Sequence, residues 1–176
     1  MYDPDAFSLA ENFSGFKNIP SKAFHDSREL RVYRDIPDQG QIDQSTWLTL
    51  IHAYYANVSY TDAQVGRLLD ELKKLGLEKE TIVVVIGDHG YQLTNHGMWS
   101  KRTHFHDALH APFVISIPGK KGNRNNENLV EFVDIYPTLM DLCGISKPGH
   151  LDGNSLSPII DNPGTDHQNN NVAFGR

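Results

Sequence analysis

The sequence predicts an α/β fold with a largely parallel sheet flanked by helices. Three observations carry this prediction: apolar residues recur at helical spacing over residues 46–75, the β-branched run TIVVVI follows at 81–86, and a second such run, FVISI, lies at 113–117. Neither run alternates with polar residues, the mark of strands covered on both faces, as in parallel sheets. Sites in such layouts gather beyond the carboxyl ends of strands. TIVVVI runs straight into Gly87, Asp88, His89 and Gly90.

Taken in order, residues 1–44 are rich in Pro, Gly, Asp and Asn and show no sustained period, which predicts an irregular wrap over a larger body. A core of residues 45–146 follows. Ser45 is the expected N-cap of the long helix, and Trp47, Leu48, Ile51, Tyr55, Val58, Val65, Leu68, Leu69, Leu72 and Leu75 form its apolar stripe. Gly76 stands where a left-handed C-cap is usual. Pro118-Gly119 ends the second strand, and the polar loop KKGNRNNEN leads to LVEFVDIYPTLMDLCGI, read as a short strand and then a helix that Pro137 helps to start and Gly144 stops. The tail, residues 147–176, reads as mostly loop. The whole is expected to be one domain, or part of one.

The bulk composition narrows the function. The formal net charge of -6 is spread along the chain with no dense basic stripe, which argues against a nucleic-acid partner. No apolar run is long enough to span a bilayer, and the first residues lack the basic and apolar regions of a signal peptide. The single cysteine, Cys143, excludes an internal disulfide and reads as a small buried hydrophobe. Small molecules or proteins remain as partners, and nothing in the sequence reports the oligomeric state.

Chemistry concentrates after the first strand. Asp88 and His89 offer a carboxylate oxygen and an imidazole nitrogen, both ligands for a divalent cation, and Gly90 allows a turn that a side chain would obstruct. An acid placed directly after an apolar strand is costly to desolvate unless something pairs with it. As a bare tripeptide, Asp-His-Gly is equally an ordinary turn. His96, His104, His106 and His110 crowd the next stretch, but their spacing fits no standard zinc pattern and predicts no histidine site. Lys101 is either a solvated surface lysine or a point charge for an anionic ester. No G-x-S-x-G elbow, P-loop or G-x-G-x-x-G is present.

Four stretches in order resemble one family: YDPDAFSLAENF, YYANVSYTDAQVGRLLDELKKLGL, IGDHGYQL with HGMWSK, and FVDIYPTLMDLCGI with LDGNSLSPII. The chain resembles the sulfatases of the alkaline-phosphatase-like superfamily, most closely the iduronate-2-sulfatase and choline-sulfatase-like branch. The resemblance implies hydrolysis of sulfate esters, on a sulfated small molecule or carbohydrate of glycosaminoglycan type. It implies Asp88 and His89 as two ligands of the active-site cation, usually calcium (Ca2+), and Lys101 as a contact to the sulfate. His110 stands where the iduronate-2-sulfatase type has histidine and is read as packing or support, as are Tyr60, Asp62, Gly66 and Arg67 of the helix motif. Relatives are commonly periplasmic, secreted or lysosomal.

Two departures qualify the resemblance. Thr94-Asn95 stand before His96-Gly97 where most relatives have Gly-Glu, which is expected to alter the turn of that loop. The family's nucleophile, a formylglycine made in a C/S-x-P-x-R motif, has no counterpart in these residues. The chain is therefore expected to be a fragment, with the formylglycine upstream, and to be inactive alone. The alternatives are a phosphatase, phosphonate hydrolase or phosphomutase of the same superfamily, or a non-catalytic remnant that binds a partner.

Overall fold

The computed structural model describes residues 2–14, 18–167 and 172–175. The expected asparagine-rich stretch of the tail, 168–171, lies outside them. The chain divides into two compact units, Met1–Lys120 and Lys121–Arg176.

In the first unit the opening segment is loop punctuated by single 3-10 turns at Pro4–Ala6, Ser21–Ala23 and Leu30–Val32. Helix α1 spans Gln44–Lys74. Asp43, not Ser45, caps it: the Asp43 carboxylate accepts from the Thr46 N–H at 2.9 Å and from the Ser45 and Thr46 hydroxyls. Asp43 has the extended backbone an N-cap needs, while Ser45 already lies inside the first turn. At the other end Gly76, at φ 73°, completes a Schellman motif, with Gly76 N–H on the Lys73 carbonyl and Leu77 N–H on that of Leu72.

Only the start of the apolar stripe is fully buried, at Trp47 and Ile51. Trp47 and Ile51 join Leu30, Ile36 and Trp99 in the core, with Phe7, Leu9 and Phe13 packed on it from the opening segment. Aromatic edges and faces fill this space: Trp47 and Trp99 lie 6.0 Å apart, and Tyr91 meets Trp99 edge-on at 5.9 Å. Farther along the helix Leu68 is 72% exposed.

Strands β1 (Val83–Ile86) and β4 (Phe113–Ser116) pair in register, Val83 with Ser116 and Ile86 with Phe113. Between them come a short hairpin, β2 (Gln92–Leu93) and β3 (Trp99–Ser100), and the one-turn helix α2 (His106–Leu109). Two expectations are corrected here. The β1–β4 pairing is antiparallel, and among the described residues no parallel pair occurs. The strands are also half-buried or exposed rather than covered on both faces. An unbroken β-branched run records a strand meant for apolar surroundings; it carries no information about the direction of its neighbour. Pro118 and Gly119, at φ 75°, close β4 in a turn with Lys120 N–H on the Ile117 carbonyl.

In the second unit the expected short strand is instead a 3-10 turn, Phe132–Asp134, leading into α3 (Ile135–Leu142). A capping box decides the matter: Glu131 and Asp134 each accept from the other's backbone N–H, which fixes a helix start where the apolar run alone suggested a strand. Gly144, at φ 67°, ends α3. Cys143 is exposed, contrary to expectation, because it sits at the C-cap just past the packed turns. The tail holds one further helix, α4 (Ser157–Asp161), and the chain on either side of it is tied to Asp134. That carboxylate is 2% exposed and accepts from Asn154 N–H at 2.8 Å and the His167 ring at 3.2 Å.

Candidate active site

Antiparallel pairing puts the carboxyl end of β1 beside the entry to β4, so the segment just before β4 packs on the Asp-His-Gly turn. Gly87 N–H donates to the Pro112 carbonyl at 2.9 Å and Gly90 N–H to the Ala108 carbonyl at 2.9 Å. Gly90 is buried, and a Cβ there would lie 2.2 Å from the Asp107 carbonyl oxygen. The glycine is thus required by close approach to α2, a tighter reason than the turn alone.

Asp88 is exposed on the bend after β1, and His89 beside it is half-buried. The His89 Nδ1 lies 3.0 Å from the Gly90 carbonyl oxygen. A carbonyl only accepts, so Nδ1 is the donor, and in the neutral ring this leaves the lone pair on Nε2, the tautomer a metal ligand needs. The donor set therefore fits part of a cation site. Among the described residues no three His, Cys, Asp or Glu side chains converge, so these two bring no third ligand with them.

The hairpin returns the chain to this turn. Its register pairs Gln92 with Ser100, so Lys101 follows directly on the residue opposite Gln92, a short step past Gly90. Lys101 is half-buried and flanked by two left-handed residues, Ser100 at φ 77° and Arg102 at φ 75°. Non-glycine residues in that region store strain of about 1–3 kcal/mol each, and such strain concentrates at functional sites. Thr94 takes φ 73°, a glycine-like turn that a β-branched residue rarely adopts. It is held there by full burial and by the Ala10 N–H on its hydroxyl at 3.0 Å.

Two supporting residues escaped the sequence reading. Gln92 is fully buried and donates to the Thr103 hydroxyl at 2.8 Å, pinning the hairpin to the residues just after Lys101. A glutamine alternating with apolar residues at 91–93 was the available signal. In the helix motif Tyr60 and Asp62 are exposed, and Arg67 donates to the Gln64 side-chain oxygen at 2.8 Å. His110 is exposed at the C-cap of α2 and meets the His106 ring instead of packing inward. Nearby, burial and, secondarily, the Glu29 carboxylate push the Tyr91 phenol above its ordinary pKa, against a hydrogen bond with Trp99.

The Sulfatase family model matches residues 10–145. Arylsulfatase K of Rattus norvegicus is 38% identical over 115 residues, covering 65% of this chain and 20% of its own length. Iduronate 2-sulfatase of Homo sapiens is 28% identical over 179 residues, covering 84% of this chain and 32% of its own. Among solved structures, BT4656 in complex with its substrate D-glucosamine-2-N,6-O-disulfate superposes with a TM-score of 0.67 at 29% identity, over 81% of this chain and 29% of that one. A phosphonate monoester hydrolase from Silicibacter pomeroyi superposes at 0.72 and 28% identity, over 91% and 33%. This chain thus spans about a fifth to a third of the length of these relatives.

Proposed function

This chain belongs to the sulfatase family, and from that premise we propose that it forms part of a catalytic domain hydrolysing sulfate esters of carbohydrates. The two units then belong to one catalytic domain. The strongest support is the strand-end turn: a carboxylate and an imidazole follow one another directly after β1, and the hairpin returns the chain bearing Lys101 to that turn. Sulfatases generally use a divalent cation. Asp88 Oδ and His89 Nε2 would hold it, and calcium is the proposed ion.

Sulfate ester hydrolysis breaks the S–O bond and leaves an alcohol and sulfate. Negative charge on the sulfate oxygens must be offset as that bond breaks, and the Lys101 ammonium supplies a compact positive charge for it. When bound, the cation would add Lewis-acid stabilisation of the same charge. Asp88 and His89 would orient that ion, and the Gly90–Ala108 hydrogen bond would keep their turn from drifting. The attacking group lies outside these residues, since no C/S-x-P-x-R motif occurs among them. Alone, the chain therefore binds without turnover.

The test has two arms. The chain alone, given an aryl sulfate or a sulfated disaccharide, is expected to release no sulfate above a blank. Joined in one polypeptide to a segment bearing the nucleophile motif, it is expected to hydrolyse the ester, with Lys101→Ala lowering kcat by about 10²–10³-fold. Equal rates with and without Lys101 would overturn its role.

The likeness to the phosphonate monoester hydrolase favours a second reading, hydrolysis of phosphonate or phosphate monoesters on the same scaffold. Zinc or manganese in the purified joined protein, together with faster cleavage of a phosphonate ester, would select it; calcium and sulfate release select the first.

A further inference from the structure

The histidines that sequence spacing left unassigned are sorted by the fold. Helix α2 is a single turn, and His110 N–H donates to the His106 carbonyl at 2.8 Å, so the two side chains stand one helical turn apart on the same face. Their rings lie 4.8 Å apart, centroid to centroid, inclined at 46°. Both residues are exposed, and among the described residues neither ring takes a hydrogen bond. Two unpartnered imidazoles in contact, each neutral ring with one nitrogen lone pair, present two donor atoms close together in solvent.

We infer that His106 and His110 form a two-histidine chelate for a borderline divalent cation such as zinc, nickel or copper, separate from the Asp88–His89 turn. Bonds of about 2.0–2.1 Å at a tetrahedral angle need ligand nitrogens about 3.3 Å apart, which rings this close meet by small side-chain rotations. Imidazole prefers these ions to calcium or magnesium, which take oxygen ligands. Among the described residues no third protein ligand joins the pair, so water or a ligand atom from solution completes the coordination. The location gives the site a consequence. The carbonyl that holds Gly90 belongs to Ala108, between the two histidines, so a cation clamping this turn also stiffens the backbone under Asp88 and His89.

Isothermal titration of the chain with nickel or zinc tests the inference, using wild type, His106→Gln, His110→Gln, His104→Gln and Asp88→Ala. Loss of partners that merely support a metal ligand costs about 10–100-fold in affinity, so loss of a ligand should cost no less. His106→Gln and His110→Gln are expected to weaken binding at least tenfold, while His104→Gln and Asp88→Ala bind as wild type. A Tm increase with nickel in wild type but not in His106→Gln or His110→Gln gives a second readout. Unchanged affinity in both glutamine variants, or loss of binding in Asp88→Ala, would overturn the inference. The Asp88→Ala arm separates this outcome from failure of the proposed catalytic cation site.

Discussion

Gly90→Ala should destabilise the first unit severely, whereas the same substitution at Gly66 should stabilise it. A Cβ on Gly90 would lie 2.2 Å from the Asp107 carbonyl oxygen and 2.8 Å from the carbonyl carbon and oxygen of Ala108. All three are backbone atoms, so relief requires the turn to move off α2 by roughly 1 Å. Overpacking of this kind costs about 1–3 kcal/mol. The movement also breaks the 2.9 Å bond from Gly90 N–H to the Ala108 carbonyl, and Ala108 is fully buried. An unpaired buried backbone group adds about 1–3 kcal/mol, for a total near 2–6 kcal/mol. Gly66 lies inside α1 with nothing within 4 Å of its would-be Cβ, so alanine there gains about 0.5–1 kcal/mol of helix propensity. Denaturant unfolding of both variants by circular dichroism measures the contrast. A Gly90→Ala chain with wild-type stability would refute the close-approach argument.

Asp134→Ala should loosen the second unit by about 1–3 kcal/mol, since it strands the buried His167 ring and the N–H groups of Glu131 and Asn154; hydrogen exchange of those amides reads the loss, and unchanged protection would contradict it. The Asp43 carboxyl is held at about 2, below its ordinary 3.8, chiefly by the Ser45 hydroxyl and then by the Thr46 N–H and hydroxyl. Its folded pKa is depressed, so its contribution to α1 is complete above about pH 4 and fades as pH falls toward 2. Helicity of wild type and Asp43→Ala should accordingly converge across that window and differ above it. Burial raises the Tyr91 phenol pKa more than Glu29 does. Glu29→Gln should therefore lower it only slightly in an ultraviolet titration, and a return to the ordinary value would reverse that ranking.

What could be read from the sequence followed from short-range rules. The α1 period and the glycines at 76 and 144 depend only on local backbone geometry, and each stands where expected, at φ 73° and 67°. Strand direction was not legible, because residue type records burial and not the sense of a neighbour. The short strand before α3 failed for a related reason: two carboxylates three residues apart, Glu131 and Asp134, outweighed a β-branched run. At the site, Asp88, His89 and Lys101 were legible as chemistry. The partner of Gly90, the left-handed backbone around Lys101 and the meeting of His106 with His110 all depend on contacts made through the fold. Cys143 shows the limit of composition, since an apolar neighbourhood in sequence ended as an exposed helix cap.

The central claim is that Asp88 and His89 hold a divalent cation at the end of β1. Calorimetric titration with calcium of the wild-type chain, Asp88→Ala and His89→Ala tests it most directly. The account predicts a binding heat in wild type that is lost in both variants and kept in His106→Gln. Equal heats in wild type and Asp88→Ala would contradict it.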